Sequence, residues 1–227
     1  MELLEFARGP ALMFSLVVFF AGVAWRLYGI FRRPAKMDFS APRSTQIARG
    51  ALEAIWVRMF PRREFGSPGL TATVNAYAYH IGIALIVFAF APHIGFIERL
   101  TGLHWPPLPD PITYLATAVA IVALLIALVQ RLTDGVLRLL SNFDDYFTWL
   151  VTMLPLVTGM ALIERPYAPA PLVAPELPTT PELLAIHLLS LELMLLWFPF
   201  GKLSHAVLVF VSRARTGAGF ARKGAAQ

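Results

Sequence analysis

The chain has 227 residues, 57% of them apolar and only 15% charged, and a mean hydropathy of +0.65. A soluble domain averages roughly half apolar and a quarter charged, so this composition points to a membrane protein. The formal charge of +5 then reads as basic cytoplasmic loops rather than a nucleic-acid footprint. The lack of cysteine excludes disulfides, thiolate nucleophiles, zinc–thiolate sites, iron–sulfur clusters bound by this chain and covalent c-type haem.

A spanning helix needs about 20 mostly apolar residues. Five segments meet that requirement: 10–31, opened by Pro10; 73–96; 112–132; 146–163; and 182–211. The first is not a cleavable signal, because Glu2, Glu5 and Arg8 precede it in place of a basic cluster and its apolar run is too long. The expectation is an all-α bundle of five transmembrane helices formed by the whole chain, 1–227.

Loop charge orients this bundle. The 32–72 segment carries Arg32, Arg33, Lys36, Arg43, Arg49, Arg58, Arg62 and Arg63, the 131–145 loop Arg131 and Arg138, and the tail Arg213, Arg215, Arg222 and Lys223. The opposite side has Arg8, Arg99 and Arg165, and fourteen against three puts the amino terminus outside and the carboxy terminus in the cytoplasm. The outer loops, "ERLTGLHWPPLPDP" and "ERPYAPAPLVAPELPTTP", are short, extended and proline-rich. Within the basic 32–72 loop, Ile47, Ala51, Ile55 and Met59 make one helical stripe with Arg49, Glu53 and Arg58 off it, the pattern of an amphipathic helix facing anionic lipid or a docking partner.

Four of the five histidines fall in two spans, where ionisable residues are rare and mark functional sites. His80 and His93 lie towards the inner and outer ends of the second segment, His187 and His205 towards the outer and inner ends of the fifth. Antiparallel helices pair them by depth, His80 with His205 and His93 with His187. Eighteen residues are about five turns, which puts His187 and His205 on one face of a continuous helix. His80 and His93, about 140° apart on an ideal helix, need a distortion near Pro92 to share a face. Paired imidazoles without cysteine or carboxylate suit bis-histidine haem b better than zinc or copper.

The stretch "HLLSLELMLLWFPFGKLSH" resembles the last helix of the gamma subunit of respiratory nitrate reductase, with two haem-ligand histidines at the same separation and a Phe-Pro-Phe and a basic residue (here Phe198, Pro199, Phe200 and Lys202) before the second. "YHIGIALIVF" resembles that family's second helix. The resemblance implies two haems b, an inner one on His80 and His205 and an outer one using His187. The family's second ligand lies ten residues after the first, where this chain has Phe90. The role passes to His93 in "FAPHIGF", a pattern similar to cytochrome b subunits of heterodisulfide-reductase-like, sulfite-reduction and some nickel–iron hydrogenase complexes.

The resemblance implies a multi-pass subunit of the bacterial inner membrane that oxidises quinol near the outer haem and passes electrons to a cytoplasmic iron–sulfur partner, with no nucleic acid involved. The reverse flow, from a hydrogenase or other donor into quinone, and a haem-free membrane anchor are the competing readings. Lys202 and Arg26 are candidate propionate contacts, and His104 and Asp110, with Glu98 and Tyr114, candidate groups at the quinol site. Glu192 stands in mid-span, where a lone carboxylate is costly. Asp144 and Asp145 read as complements to a helix dipole.

Overall fold

A computed structural model of the chain describes residues 2–33, 39, 41–60, 66–162 and 181–225. Lys36, Arg62, Arg63, Ile163 and the second outer loop with Arg165 lie outside the described residues. Every regular element among those described is helical. Helix α1 spans Leu3–Arg32 and is opened by a capping box between Glu2 and Glu5. It makes one π turn at Ala7–Ala11 around Pro10, whose missing N–H cannot continue the α ladder. Then come α2 (Ile47–Val57), α3 (Gly66–Ala89), α4 (Ala91–Thr101), α5 (Asp110–Thr133), α6 (Gly135–Leu140), α7 (Phe143–Ala161), α8 (Pro181–Trp197) and α9 (His205–Lys223), the last entered through a 3-10 turn at Lys202–Ser204.

Helices α1, α3 and α5 are long and apolar enough to cross a bilayer, and α8 with α9 is a fourth candidate if that pair, bent by 77°, counts as one span. Helix α7, with Asp144 and Asp145 in its first turn, is not among them. Two expected continuous helices are therefore broken. The 73–96 segment stops at Ala89, turns through an extended Phe90 and restarts as α4, where Pro92 occupies the first turn and its missing N–H costs nothing. The 182–211 segment ends at Trp197, passes Pro199 and Gly201, and leaves in a new direction.

The bundle packs as a row: α3 on α5, α5 on α7, α7 on α8, α8 on α1. Ala120, Leu124, Met153 and Leu156 form its core, with Tyr79, Ile83, Ile86 and Trp149 against them. Lipid is as apolar as these side chains, so packing and interhelical hydrogen bonds hold the helices together. Asn75 Nδ2 donates to the Ala123 carbonyl at 3.0 Å and Trp149 Nε1 to the Leu124 carbonyl at 2.8 Å. Gly82 lets α3 and α5 close in, since a Cβ there would stand 2.8 Å from the Ala116 carbonyl oxygen.

Helices α2 and α9 form a separate basic arm. Their contact runs through Gly50 and Ala54, both buried, against Gly217. The apolar stripe of Ile47, Ala51 and Ile55 borders that contact and is partly buried, while Leu52 and Trp56 on the far side of α2 are exposed. The Arg58 guanidinium lies 5.4 Å from the centre of the Phe220 ring.

Gly82→Leu is expected to force α3 and α5 apart at a cost of about 1–3 kcal/mol, lowering the thermal midpoint in detergent. Gly95→Leu, where a Cβ meets nothing within 4 Å, is the matched control and leaves the midpoint unchanged; equal midpoints for the two variants would mean the α3–α5 contact is not tight.

Candidate functional site

The break between α3 and α4 builds one half of the site. A helix end leaves its last carbonyls without partners. At this one Trp105 Nε1 donates to the Phe88 carbonyl at 2.6 Å and the Leu108 amide to that of Ala89 at 2.9 Å, folding the 102–109 loop back over the break. The carbonyl of Ile86, in the same last turn, accepts from His93 Nδ1 at 2.7 Å. The chain changes direction at the extended Phe90, and the His93 ring comes to 6.3 Å from the His187 ring, centre to centre, with planes 12° apart.

His187 is held by α7. Thr158 Oγ1 donates to the Leu154 carbonyl at 2.8 Å and Ser190 Oγ to the His187 carbonyl at 2.7 Å. With both hydroxyl hydrogens committed, the 3.1 Å contact between His187 Nδ1 and Thr158 Oγ1 is one in which the imidazole N–H donates. Gly159 makes room for the ring, because a Cβ there would lie 3.0 Å from His187 Cε1.

The other half joins α3 to the start of α9. His80 Nδ1 donates to the Ala76 carbonyl at 2.8 Å, one turn back on its own helix. His205 Nδ1 donates to the Lys202 carbonyl at 2.7 Å. The two rings stand 5.9 Å apart, nearly perpendicular at 88°. His205 does not share one helical face with His187, as five uninterrupted turns would require. It opens a second helix after the break at Pro199, and the break rather than helical periodicity sets its position.

The Nδ1 atoms of His80, His93 and His205 each face a backbone carbonyl, which places the proton there and leaves the lone pair on Nε2, the form a metal takes. His187 has the Thr158 hydroxyl on Nδ1 and is also hydrogen-bonded to the Pro155 carbonyl. Metal–imidazole bonds are about 2.0–2.1 Å and a ring nitrogen lies about 1.1 Å from its centre, so an iron between opposed imidazoles needs ring centres about 6.2 Å apart. The ring centres stand 5.9 and 6.3 Å apart, close to that spacing, and paired imidazoles are the kind of donor set that would hold bis-histidine haem. No group of three or more His, Asp or Glu arranged for a metal ion occurs among the described residues.

The other candidates lie around these two pairs. The Lys202 ammonium pairs with the buried Asp145 carboxylate, which also takes Arg131 at 2.9 Å. Arg26 reaches Ser204 Oγ at 3.0 Å and the Phe200 carbonyl at 3.4 Å. His104 forms an exposed pair with Glu98 at 2.9 Å. Asp110 opens α5, and Tyr114 lies one ring from His93, through Phe90. Glu192 is 3% exposed, and its Oε1 has no hydrogen-bond partner among the described residues. An apolar groove of about 640 Å³ between α3 and α5 is lined by Val74, Asn75, Val119 and Val122 and by none of the histidines. Two contributors are not legible in the sequence. Thr158 has no motif to reveal it, and Trp105 stands out only as a neighbour of His104.

Asp145 precedes the apolar run that begins at Tyr146. Burial pushes its carboxyl up, but the Lys202 ammonium, the Asn142 amide and the Arg131 guanidinium outweigh that and hold it below its ordinary value. A depressed folded pKa stabilises the fold above the unfolded value and loses that effect as pH falls through the folded one. Asp145→Asn is therefore expected to cost about 1–3 kcal/mol near neutral pH, with the gap to the wild type closing below about pH 4. Thermal midpoints of the two proteins across pH would check this, and a gap independent of pH would refute it.

No protein-family model and no solved structure matches the chain. A protein of Nitratidesulfovibrio vulgaris strain Hildenborough is 30% identical over 226 residues, which cover 96% of this chain and 93% of that protein; its name states no activity. Identity at that level over nearly the full length of both means that the chain belongs to the same family as this Nitratidesulfovibrio vulgaris protein.

Proposed function

We propose that the protein is a dihaem cytochrome b subunit of the nitrate reductase gamma-like kind, which oxidises a membrane quinol near the outer face and delivers electrons to a cytoplasmic iron–sulfur partner. The observation that carries this reading is the pairing of the histidines: His80 with His205 and His93 with His187, ring centres 5.9 and 6.3 Å apart, each Nδ1 with an oxygen partner. In this reading α7 and the bent α8–α9 pair join α1, α3 and α5 as five spans of the bacterial inner membrane, with the amino terminus outside, as the basic bias of the 32–72 loop and the tail supports.

His80 and His205 hold the inner haem, His93 and His187 the outer one. Haem b supplies reversible one-electron exchange at iron. The chain's own residues orient it. Backbone carbonyls of Ala76, Ile86 and Lys202 and the Thr158 hydroxyl accept from the imidazoles, which fixes ring orientation and raises the basicity of the ligating nitrogens. At the outer end His104, Glu98 and Asp110 are groups able to accept the protons that quinol oxidation releases. At the inner end the α2–α9 arm offers Arg49, Arg213 and Lys223 to an acidic partner surface.

A reduced-minus-oxidised spectrum and a haem assay of the purified protein test this. Two haems b per chain are expected, falling to one in His93→Ala or His187→Ala and to the other one in His80→Ala or His205→Ala. A wild-type protein without a b-type signal would sink the cytochrome reading and leave the membrane anchor.

A further inference from the structure

Because α8 ends at Trp197 and α9 starts at His205 after a 77° bend, no continuous helix fixes the inner ligand candidate relative to the rest of the bundle. The segment between them is instead gripped from two sides. On one side stands the amino-terminal turn of α7. Asp144 Oδ1 accepts the Lys202 amide at 3.1 Å and the Thr148 hydroxyl at 2.8 Å, and Thr148 Oγ1 accepts Trp197 Nε1 at 3.0 Å. Asp145 is buried, takes the Lys202 ammonium and Arg131 on Oδ1, and accepts the Asn142 amide on Oδ2 at 3.0 Å. On the other side stands α1, whose Arg26 donates to Ser204 Oγ, while Ser204 donates to the Gly201 carbonyl at 2.8 Å. Gly201 has no alternative residue, since a Cβ would run into the Trp197 indole.

The contacts from α7 converge on Lys202. Its amide is held by Asp144, its ammonium by Asp145, and its carbonyl holds the Nδ1–H of His205. We propose that Asp144, Asp145, Arg131 and Lys202 form a clamp that positions the His205 ring opposite His80. They are positioning residues, acting on His205 through Lys202. The consequence for the inner haem rests on the cytochrome reading above; the clamp itself does not. A carboxylate with two cations around it is well suited to this task, because removing one member of a buried ion pair leaves an uncompensated charge and releases what it held. Helical periodicity cannot do the same work across a break.

The test uses the full-length protein with Asp144→Asn, Asp145→Asn and Lys202→Met, and two conservative controls, Asp145→Glu and Lys202→Arg. Two quantities are read: the spectral band assigned to the inner haem by its loss in His80→Ala, and hydrogen exchange of the 198–205 amides. The three disruptive variants are expected to lose the inner band or shift it to a high-spin form while keeping the outer band, which also reports that the bundle is folded. Exchange over 198–205 is expected to rise about tenfold. Glutamate at position 145, a good residue for the third position of a capping box, is expected to restore both. Should Asp145→Asn not accumulate, Lys202→Met carries the same test. Inner band and exchange both as in the wild type would overturn the clamp. If the wild type holds no haem the cytochrome reading fails, and exchange alone decides: a tenfold rise supports the clamp and no change overturns it.

Discussion

An imidazole inside an apolar bundle has to hand its Nδ1 hydrogen to an acceptor, and an intact helix has no backbone carbonyl to spare beyond the one a turn behind. His80 uses that local solution, donating to Ala76 on its own helix. His93 and His205 cannot, because each stands in the first turn of a helix that starts after a break. They depend on the breaks themselves: His93 donates to the Ile86 carbonyl in the last turn before one break, and His205 to the Lys202 carbonyl after the other, which its own backbone amide also reaches. His187, in the middle of an unbroken helix, turns to a hydroxyl of its neighbour α7. The site's geometry is set by where backbone acceptors are released.

The breaks have a cost that the rest of the structure offsets. An unpaired carbonyl in a membrane is expensive, and the 102–109 loop exists in its observed form to cover Phe88 and Ala89. At the other break the cover is ionic. Asp145 is buried with two cations around it, an arrangement worth little as a source of stability compared with apolar packing but strong as a constraint on geometry. Placing such a constraint beside His205 is consistent with a residue whose direction matters more than its burial.

The α2–α9 arm extends the same logic outward. Helix α9 carries His205 at one end and basic residues along the rest, and it packs through small residues, Gly217 against Gly50 and Ala54. Close packing makes the two helices one unit, so the proposed inner ligand and the basic surface of the arm belong to the same piece of chain. Part of the arm's character is legible in the residues themselves: the stripe of Ile47, Ala51, Ile55 and Met59 reads as an amphipathic helix facing anionic lipid or a docking partner. That this partner is α9 is not, because nothing local in either segment pairs them.

The sequence by itself determined the helical class, the apolar segments, the basic bias of one set of loops and the concentration of histidines, since each depends on composition or on neighbours a few residues apart. It also marked Pro92 as a place where a helix ladder is interrupted. What only the tertiary structure decided is what happens after an interruption. A proline states that a hydrogen bond is missing; it does not state the new direction of the chain, and a turn of 77° puts His205 on a different helix from His187. The acceptors obey the same rule. Thr158, Asp144 and Asp145 are ordinary residues in sequence, a helical threonine and a dipole-complementing pair of aspartates, and they meet His187 and Lys202 only because α7 packs on α8. Contacts between residues thirty to sixty positions apart arise from packing, and periodicity within one helix carries no information about them.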